Sequence, residues 1–314
     1  MIDWWAALAG RWRFDGSTAT YLGPAQPESR IKLGLALGSE RFRDGRITTR
    51  IKLTRNRSTS AGIVFGYQSL AAPYFVAQIG GFEKAYSIAE YRPDEGWISR
   101  ADAGSLSNLR VDVEHTVTIS VAGQSVRMTV DRVDVLNAVL PRPIEGLGAG
   151  LFAGDDAEVG FHETTIQTQM PRVFVIMPFA EPFDPVYRDV IKPVAEELGF
   201  TINRVDEVAG PGIILDDIQR QIEQAHAVIA EISTYQGMHN PNVFYELGYA
   251  HALKKPAILL VRREAGKEMP FDVRGYRAIF YDDSIGGKKA VERTLRQHLN
   301  AVLNDSWDNG LATR

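Results

Sequence analysis

The rhythm of apolar and polar positions changes once along the 314-residue chain. Up to about residue 168 the runs are short and alternate with period two, the signature of strands with one buried face. Gly45 to Leu53 puts Ile47, Ile51 and Leu53 on one side, with Thr49 interrupting the pattern. Tyr86 to Tyr91 and His115 to Val121 alternate cleanly, and the second of these meets Ser125 to Val130 across Ala122-Gly123-Gln124. Ala61 to Tyr67, Tyr74 to Ile79, Leu147 to Phe152 and Ala157 to Phe161 read as further strands behind a short opening segment, Trp4 to Leu8. Glycine, proline and aspartate punctuate these runs, so the pattern predicts an all-β antiparallel sandwich of jelly-roll type over residues 1–168.

Thr164 to Pro171 reads as a short polar connection, after which the period lengthens. Val173 to Ile176, Thr201 to Asp206, Ala227 to Ile232, Ala257 to Val261 and Ala278 to Tyr281 are brief apolar runs suited to strands buried on both faces. Between them the spacing predicts helices over Pro185 to Leu198, with Pro193 as a kink, and over Ile213 to Ala225, with Ile214, Ile218 and Ile222 on one face. A third helix opens on Asn240 as N-cap and Pro241 at the first helical position and runs to Lys254 and Lys255. A last one covers Lys288 to Leu303. Strand–helix alternation predicts an α/β doubly wound parallel sheet over residues 172–314, whose ligands bind beyond the C-terminal strand ends. Those ends are Met177-Pro178-Phe179, the corner from Arg204 to Asp206, Glu231 to Asn242, and Arg262-Arg263.

Composition narrows the chemistry by exclusion. There is no cysteine, so disulfides, thiolate metal sites and a cysteine nucleophile are ruled out, and the six histidines show no ligand spacing. Asp155-Asp156 alone does not make a calcium site. No metal and no cofactor are expected. A net charge of −4 with acids and bases mixed argues against a dedicated nucleic-acid or membrane-surface protein. No apolar run reaches the roughly 20 residues of a membrane span, and Met1 is followed by Asp3 and two tryptophans rather than a basic and then apolar segment. A cytoplasmic protein is the expectation. Neither a GxGxxG nor a P-loop motif is present, which argues against a dinucleotide-binding dehydrogenase or a P-loop enzyme.

One residue stands out against its surroundings. From Val243 to Leu253 the third helix is apolar on nearly every side and should be buried, yet Glu246 sits in its middle with no arginine or lysine at helical spacing. Such a carboxylate is protonated, hydrogen-bonded or functional. Breaking a C1′–N bond of a nucleoside builds positive charge on the sugar, and a carboxylate there either stabilises it or attacks C1′. Asn242, one turn away, then orients Glu246 or binds a ribose hydroxyl, and Tyr245 hydrogen-bonds the carboxylate. Phe179 is placed to stack on a base, and Arg204 or Arg262 to pair with phosphates. Met177, Pro178, Asp206, Asp217, Glu231, Ser233 and Asn240 complete the expected substrate-binding set.

These residues also carry a resemblance. A strand ending in Met177-Pro178-Phe179, Arg204-x-Asp206-Glu207 at the end of the next, and the Ile-x-x-x-Ile-x-x-x-Ile helix come first. Ala230-Glu231-Ile232-Ser233, Asn240-Pro241-Asn242-Val243-Phe244-Tyr245-Glu246-Leu247-Gly248 and Lys255-Pro256 then follow in order. Over roughly residues 172–283 this resembles the nucleoside 2-deoxyribosyltransferase-like and Toll/interleukin-receptor-like (TIR-like) N-glycosidases. The resemblance implies a flavodoxin-like second domain with Glu246 as the catalytic carboxylate. The family usually has aspartate where Glu231 stands. It further implies NAD⁺ as substrate, cleaved at the nicotinamide bond, in an effector of bacterial antiviral defence or signalling regulated by the sandwich. The alternatives are a nucleoside or nucleotide deoxyribosyltransferase or hydrolase in salvage, and a non-catalytic nucleotide receptor. The first half resembles concanavalin-like, laminin-G-type sandwiches. It reads as a sensing, docking or homo-oligomerising module for a glycan, small-molecule or protein ligand, with Tyr86, Tyr91, Arg92 and Trp97 as candidate lining residues.

Overall fold

The computed structural model describes residues 5–26, 32–54, 59–155, 157–205, 214–264, 269–270, 273, 275, 278–282 and 284–308. The chain divides into two compact units, Met1–Leu140 with Ile144–Gln169, and Pro141–Pro143 with Met170–Arg314.

The first unit is an antiparallel β-sandwich. Its strands are β1 (Trp5–Ala9), β2 (Trp12–Asp15), β3 (Thr18–Tyr21), β4 (Leu33–Gly38), β5 (Gly45–Leu53), β6 (Ser60–Tyr67) and β7 (Tyr74–Ile79). They continue with β8 (Lys84–Arg92), β9 (Gly96–Ser105), β10 (Glu114–Ala122), β11 (Ser125–Val130), β12 (Val133–Val139), β13 (Gly148–Gly154) and β14 (Val159–Thr168). One seven-stranded sheet runs β1-β4-β13-β6-β7-β8-β9, the other β12-β11-β10-β5-β14-β3-β2. The core lies between them. Ile47, Ile51, Val117, Ile119 and Phe161 from one sheet pack against Ile63, Phe65, Phe75, Ile79, Ile88 and Leu151 from the other. Thr49, which breaks the apolar pattern, faces the same way and is fully buried. Its hydroxyl meets that of Thr164 at 2.8 Å, so the polar interruption is satisfied inside the core. That contact also corrects the reading of Thr164 to Pro171 as a connection. Residues through Thr168 belong to β14, which pairs with β5.

The second unit holds a five-stranded parallel sheet of β15 (Arg172–Ile176), β16 (Thr201–Arg204), β17 (Ala227–Glu231), β18 (Ala257–Arg262) and β19 (Ala278–Tyr281), in the order β16-β15-β17-β18-β19. Successive residues of β15 supply opposite faces, Val173 and Val175 one core, Phe174 and Ile176 the other. The first helical segment packs on the face of Val173, as does α5 (Ile285–Asp308), through Val190, Ile191, Val194, Val291, Leu295 and Leu299. On the opposite face lie α3 (Ile214–Gln224) and α4 (Pro241–Ala252). The first helical segment is not continuous. It comprises α1 (Asp184–Val186), a π-turn at Tyr187–Ile191 and α2 (Lys192–Glu197). Pro193 has no N–H to offer the Asp189 carbonyl, and just before it Lys192 N–H reaches back five residues to the Tyr187 carbonyl.

The expected fold class is corrected. The chain is mostly β: fourteen of its named strands lie in two large antiparallel sheets, beside one small parallel sheet and a minority of helix. Helical spacing is confined to the second half, and the α/β layers there are outweighed by the fourteen strands of the first unit. Five named strands of the first unit, β2, β3, β4, β9 and β12, were not separated by the pattern, and the first helical segment keeps its expected length but is interrupted by a π-turn. Among the described residues no helix is long and apolar enough to cross a membrane.

Candidate functional site

β15 lies between β16 and β17, so the order of the parallel sheet reverses there. The chain leaves β15 toward one face and returns to β17 from the other. A crevice forms at the C-terminal ends of these strands where their loops diverge. A ring contact between Phe183 and Tyr235, centroids 5.9 Å apart, joins the loop after β15 to the loop after β17.

The loop after β15 is built on Arg204. Its guanidinium is nearly buried at the end of β16, donates to the Asp184 carboxylate at 2.5 Å, and lies over the rings of Tyr187 at 4.4 Å and Phe179 at 5.4 Å. It also reaches the Met177 sulfur at 3.9 Å. Met177 and Pro178 are buried, whereas Phe179 is 53% exposed. An arginine sandwiched between rings and held by a carboxylate fixes the loop and leaves the Phe179 face in solvent. Asp206 lies outside the described residues.

The end of β17 carries a second cluster. Glu231 is fully sealed from solvent, and its Oε1 accepts the Ser233 N–H at 2.9 Å. The Ser233 hydroxyl in turn accepts the Arg262 N–H at 2.7 Å, so the ends of β17 and β18 are tied together. Burial pushes the Glu231 carboxyl up to about 7, against the opposing pull of Ser233, the Tyr281 hydroxyl and the Arg262 charge. Tyr281 is near enough to draw the proton affinity down, yet Oε2 makes no hydrogen bond of ordinary geometry.

The third cluster is α4. Asn240 caps it, its Oδ1 accepting the N–H groups of Asn242 at 2.9 Å and Val243 at 3.4 Å. Val243, Leu247 and Ala250 form a single buried stripe on the sheet. The helix is therefore not buried all round as the sequence suggested. Tyr245 is 57% exposed, and Asn242 and Gly248 are exposed too. Glu246 lies beside the buried stripe, half-buried, five residues past Pro241 and so about 8 Å along the axis from the start of the helix. Burial alone raises its carboxyl to about 7. Among the described residues it has no hydrogen-bond or ion-pair partner, including Asn242 and Tyr245.

The remaining expected residues are placed as follows. Asp217 is paired with Arg220 at 2.9 Å within α3. Arg262 lines a small recess with Pro182, Val186, Tyr281, Asp282 and Lys288. Sequence reasoning missed Asp184, Tyr187, Tyr235 and Tyr281. Only Tyr235 left a legible trace. It precedes Gln236-Gly237, whose φ values of 53° and 78° close a tight turn from Tyr235 to Met238 and leave both side chains exposed.

In the sandwich, the aromatic expectation divides. Tyr91 and Trp97 join Tyr67, Tyr74 and Phe152 on the outer face of the first sheet. Tyr86 packs on the inner core instead, and Arg92 is engaged by Glu90 and Glu95.

No protein-family model matches the chain, and no curated protein matches it. Solved structures that resemble it include a carbohydrate-binding module of Bacillus subtilis, with a TM-score of 0.41 and 14% identity over 51% of this chain and 93% of that one. A lichenase from a mouse hindgut metagenome gives a TM-score of 0.38 and 11% identity over 51% of this chain and 90% of that one. A CMP N-glycosidase of Clostridium botulinum gives 0.32 and 21% identity over 40% of this chain and 98% of that one. Glycoside hydrolases and an N-glycosidase thus stand among the similar structures.

Proposed function

We propose that the second unit hydrolyses the N-glycosidic bond of a nucleotide, that Glu246 is its catalytic carboxylate, and that NAD⁺ is the substrate. The observation that carries the reading is the Glu246 carboxylate. It is half-buried, has no ion partner among the described residues, and stands on the helix that starts at the open end of the parallel sheet. The unpaired charge is held for something that arrives.

In the reaction the C1′–N bond breaks and its electron pair leaves with the pyridine nitrogen. Nicotinamide departs neutral and needs no proton. The ribose carries the positive charge, which ionised Glu246 either stabilises or captures as an ester. Water then adds at C1′ and releases a proton, giving ADP-ribose. A purine or pyrimidine leaving group would instead depart with a proton supplied by an acid. The order of motifs from Met177-Pro178-Phe179 to Glu246-Leu247-Gly248, which resembles deoxyribosyltransferase-like and TIR-like N-glycosidases, supports the same assignment. In this reading Phe179 stacks on a base, and the sandwich regulates the catalytic unit.

The test is chromatographic. Purified protein is incubated with NAD⁺ and, in parallel, with deoxynucleosides, and wild type is compared with Glu246→Gln. Nicotinamide release is expected from wild type, lowered at least about a hundredfold in the variant. Base release from deoxynucleosides alone would replace the NAD⁺ reading with deoxyribosyl transfer. Nucleotide that binds equally to both proteins and stays intact would mark a receptor.

A further inference from the structure

Among the described residues of the second unit, large apolar side chains are exposed mainly at one end. Phe179, Leu215, Tyr235, Met238 and Tyr245 each follow the C-terminal end of a parallel strand or stand on a helix that starts there. Apolar surface gathered in this way is a mark of ligand grooves and interaction sites. Two of the five are rings held at the crevice between β15 and β17, one from each side.

Phe179 belongs to the loop after β15. Arg204 lies against one face of its ring at 5.4 Å, and the rest of the residue is open to solvent. Tyr235 belongs to the loop after β17, and its position is built rather than loose. The Tyr235 N–H donates to the Met238 carbonyl at 2.8 Å and the Met238 N–H donates back at 3.1 Å, across the turn that Gln236 and Gly237 close with positive φ. At the base of this turn His239 Nδ1 meets the Ile232 carbonyl at 3.1 Å, which ties the returning chain to the strand it left. The Tyr235 ring stands at 68° to that of Phe183, which is fully buried. Such an edge contact cannot cover both faces of Tyr235, and 42% of the residue is exposed. Both rings are therefore braced from behind and present a flat surface that needs little further ordering when a planar group arrives.

The two surfaces are linked. Phe179 and Phe183 are four residues apart in one loop, a span of at most about 14 Å, and Tyr235 rests on the second of them. A mononucleotide has one base to stack, whereas two surfaces on opposite walls suit two planar groups on one flexible ligand.

We propose that Tyr235 is a second stacking surface of this site, that Phe179 and Tyr235 each hold one base, and that the unit thereby selects a dinucleotide over a mononucleotide. The inference rests on the nucleotide reading of the site given above.

The experiment is a calorimetric titration of the full chain carrying Glu246→Gln, so that nothing is consumed, with NAD⁺, nicotinamide mononucleotide and AMP. NAD⁺ is expected to bind at least about tenfold tighter than either mononucleotide. Tyr235→Ala, added to this background, should weaken NAD⁺ about tenfold and one of the two mononucleotides with it, leaving the other unchanged; Phe179→Ala should show the reverse choice. The mononucleotide that each variant still binds at full affinity shows that the site is folded. Tyr235→Phe keeps the ring and should bind NAD⁺ like the parent. The proposal is overturned by mononucleotides that bind as tightly as NAD⁺, by NAD⁺ affinity that Tyr235→Ala does not alter, by both alanine variants weakening the same mononucleotide, which would mark one base sandwiched between the rings, or by NAD⁺ that binds neither wild type nor Glu246→Gln. Hydrolysis is read separately. A wild-type protein that shows this binding pattern yet releases no nicotinamide would overturn the catalytic reading and leave the two surfaces standing. Nicotinamide released from the mononucleotide with the same kcat/KM as from NAD⁺ would do the opposite.

Discussion

Two carboxyls govern how this protein should respond to pH. Glu246 and Glu231 are both pushed up to about 7, the first by burial alone and the second by burial against the opposing pull of Ser233, Tyr281 and Arg262. In the unfolded chain both return to ordinary values near 4.5. The folded state therefore holds protons that the unfolded state gives up. The stability this confers is complete below about 4.5 and is lost as pH rises through about 7. Urea unfolding is expected to show a stability falling from pH 5 to pH 8, with a shallower fall in Glu231→Gln, which keeps the acceptor for the Ser233 N–H. An unchanged slope would show that Glu231 does not carry the effect. In the proposed reaction, which needs Glu246 ionised, activity is expected to run the other way and rise with pH through about 7, highest where stability is declining. Phe179→Ala tests the stacking surface. With half of the residue already in solvent it should cost only about 0.5–1 kcal/mol of stability, through the lost Arg204 contact, and raise the NAD⁺ KM roughly fivefold or more, as loss of one stacked base does. At this scale the sequence was informative about lone charges and silent about their partners. Glu246 is conspicuous because i±3 and i±4 hold no base. That Arg204 pairs with Asp184, twenty positions earlier, depends on how β16 and the loop after β15 meet.

Among elements, alternation was legible where one face is wet and failed where other constraints act. β5, β10 and β11 show period two because their outer residues meet solvent. β6 and β7 are buried along their whole length, and their signal is a run of apolar residues with Gly62 and Gly66 among them. The Gly62 position is close to the Ala77 carbonyl, where a Cβ would come within 2.0 Å. β2, β3 and β4 are four to six residues long, too short for a period to establish itself. The Thr49–Thr164 pair shows how a polar residue can belong to a core. Thr49→Val is expected to destabilise by about 1–3 kcal/mol, because the Thr164 hydroxyl is left buried and unmatched, and Thr164→Val by less, because the Thr49 hydroxyl still reaches the His162 carbonyl at 3.5 Å. The double change should cost less than the sum, a coupling that a double-mutant cycle in urea measures. On α4 the cap is testable in the same way. Asn240→Ala removes the acceptor for two N–H groups and should destabilise by about 1 kcal/mol. It should also lower activity, since it loosens the turn that carries Glu246.

For the molecule as a whole, each unit has its own core, one between two antiparallel sheets and the others on the two faces of a parallel sheet. Separate cores predict separate responses. Ile51→Ala and Leu295→Ala, both fully buried, should each lower stability by roughly 2–5 kcal/mol, and calorimetry should show each shifting a different part of the unfolding profile. A single transition moved equally by both would show that the two units unfold as one. The division near residue 170 was visible in the sequence as a change of period. The preponderance of β was not, because strands of four to six residues such as β2, β3 and β4 are too short to carry a period.

The order of strands in the sandwich also sets a timetable for its synthesis. β14 lies between β5 and β3, and β13 between β4 and β6, so the last two strands of the unit fill the middle of both sheets. A growing chain that has not yet reached Thr168 lacks these bridges, and the hairpin of β2 and β3 has no sheet to join. Four strand edges stay open on the ribosome until the unit is almost fully made. A chaperone that holds extended segments should therefore engage the first 150 residues more strongly than the rest, and a chain halted before residue 168 should aggregate rather than rest as a partly built sandwich.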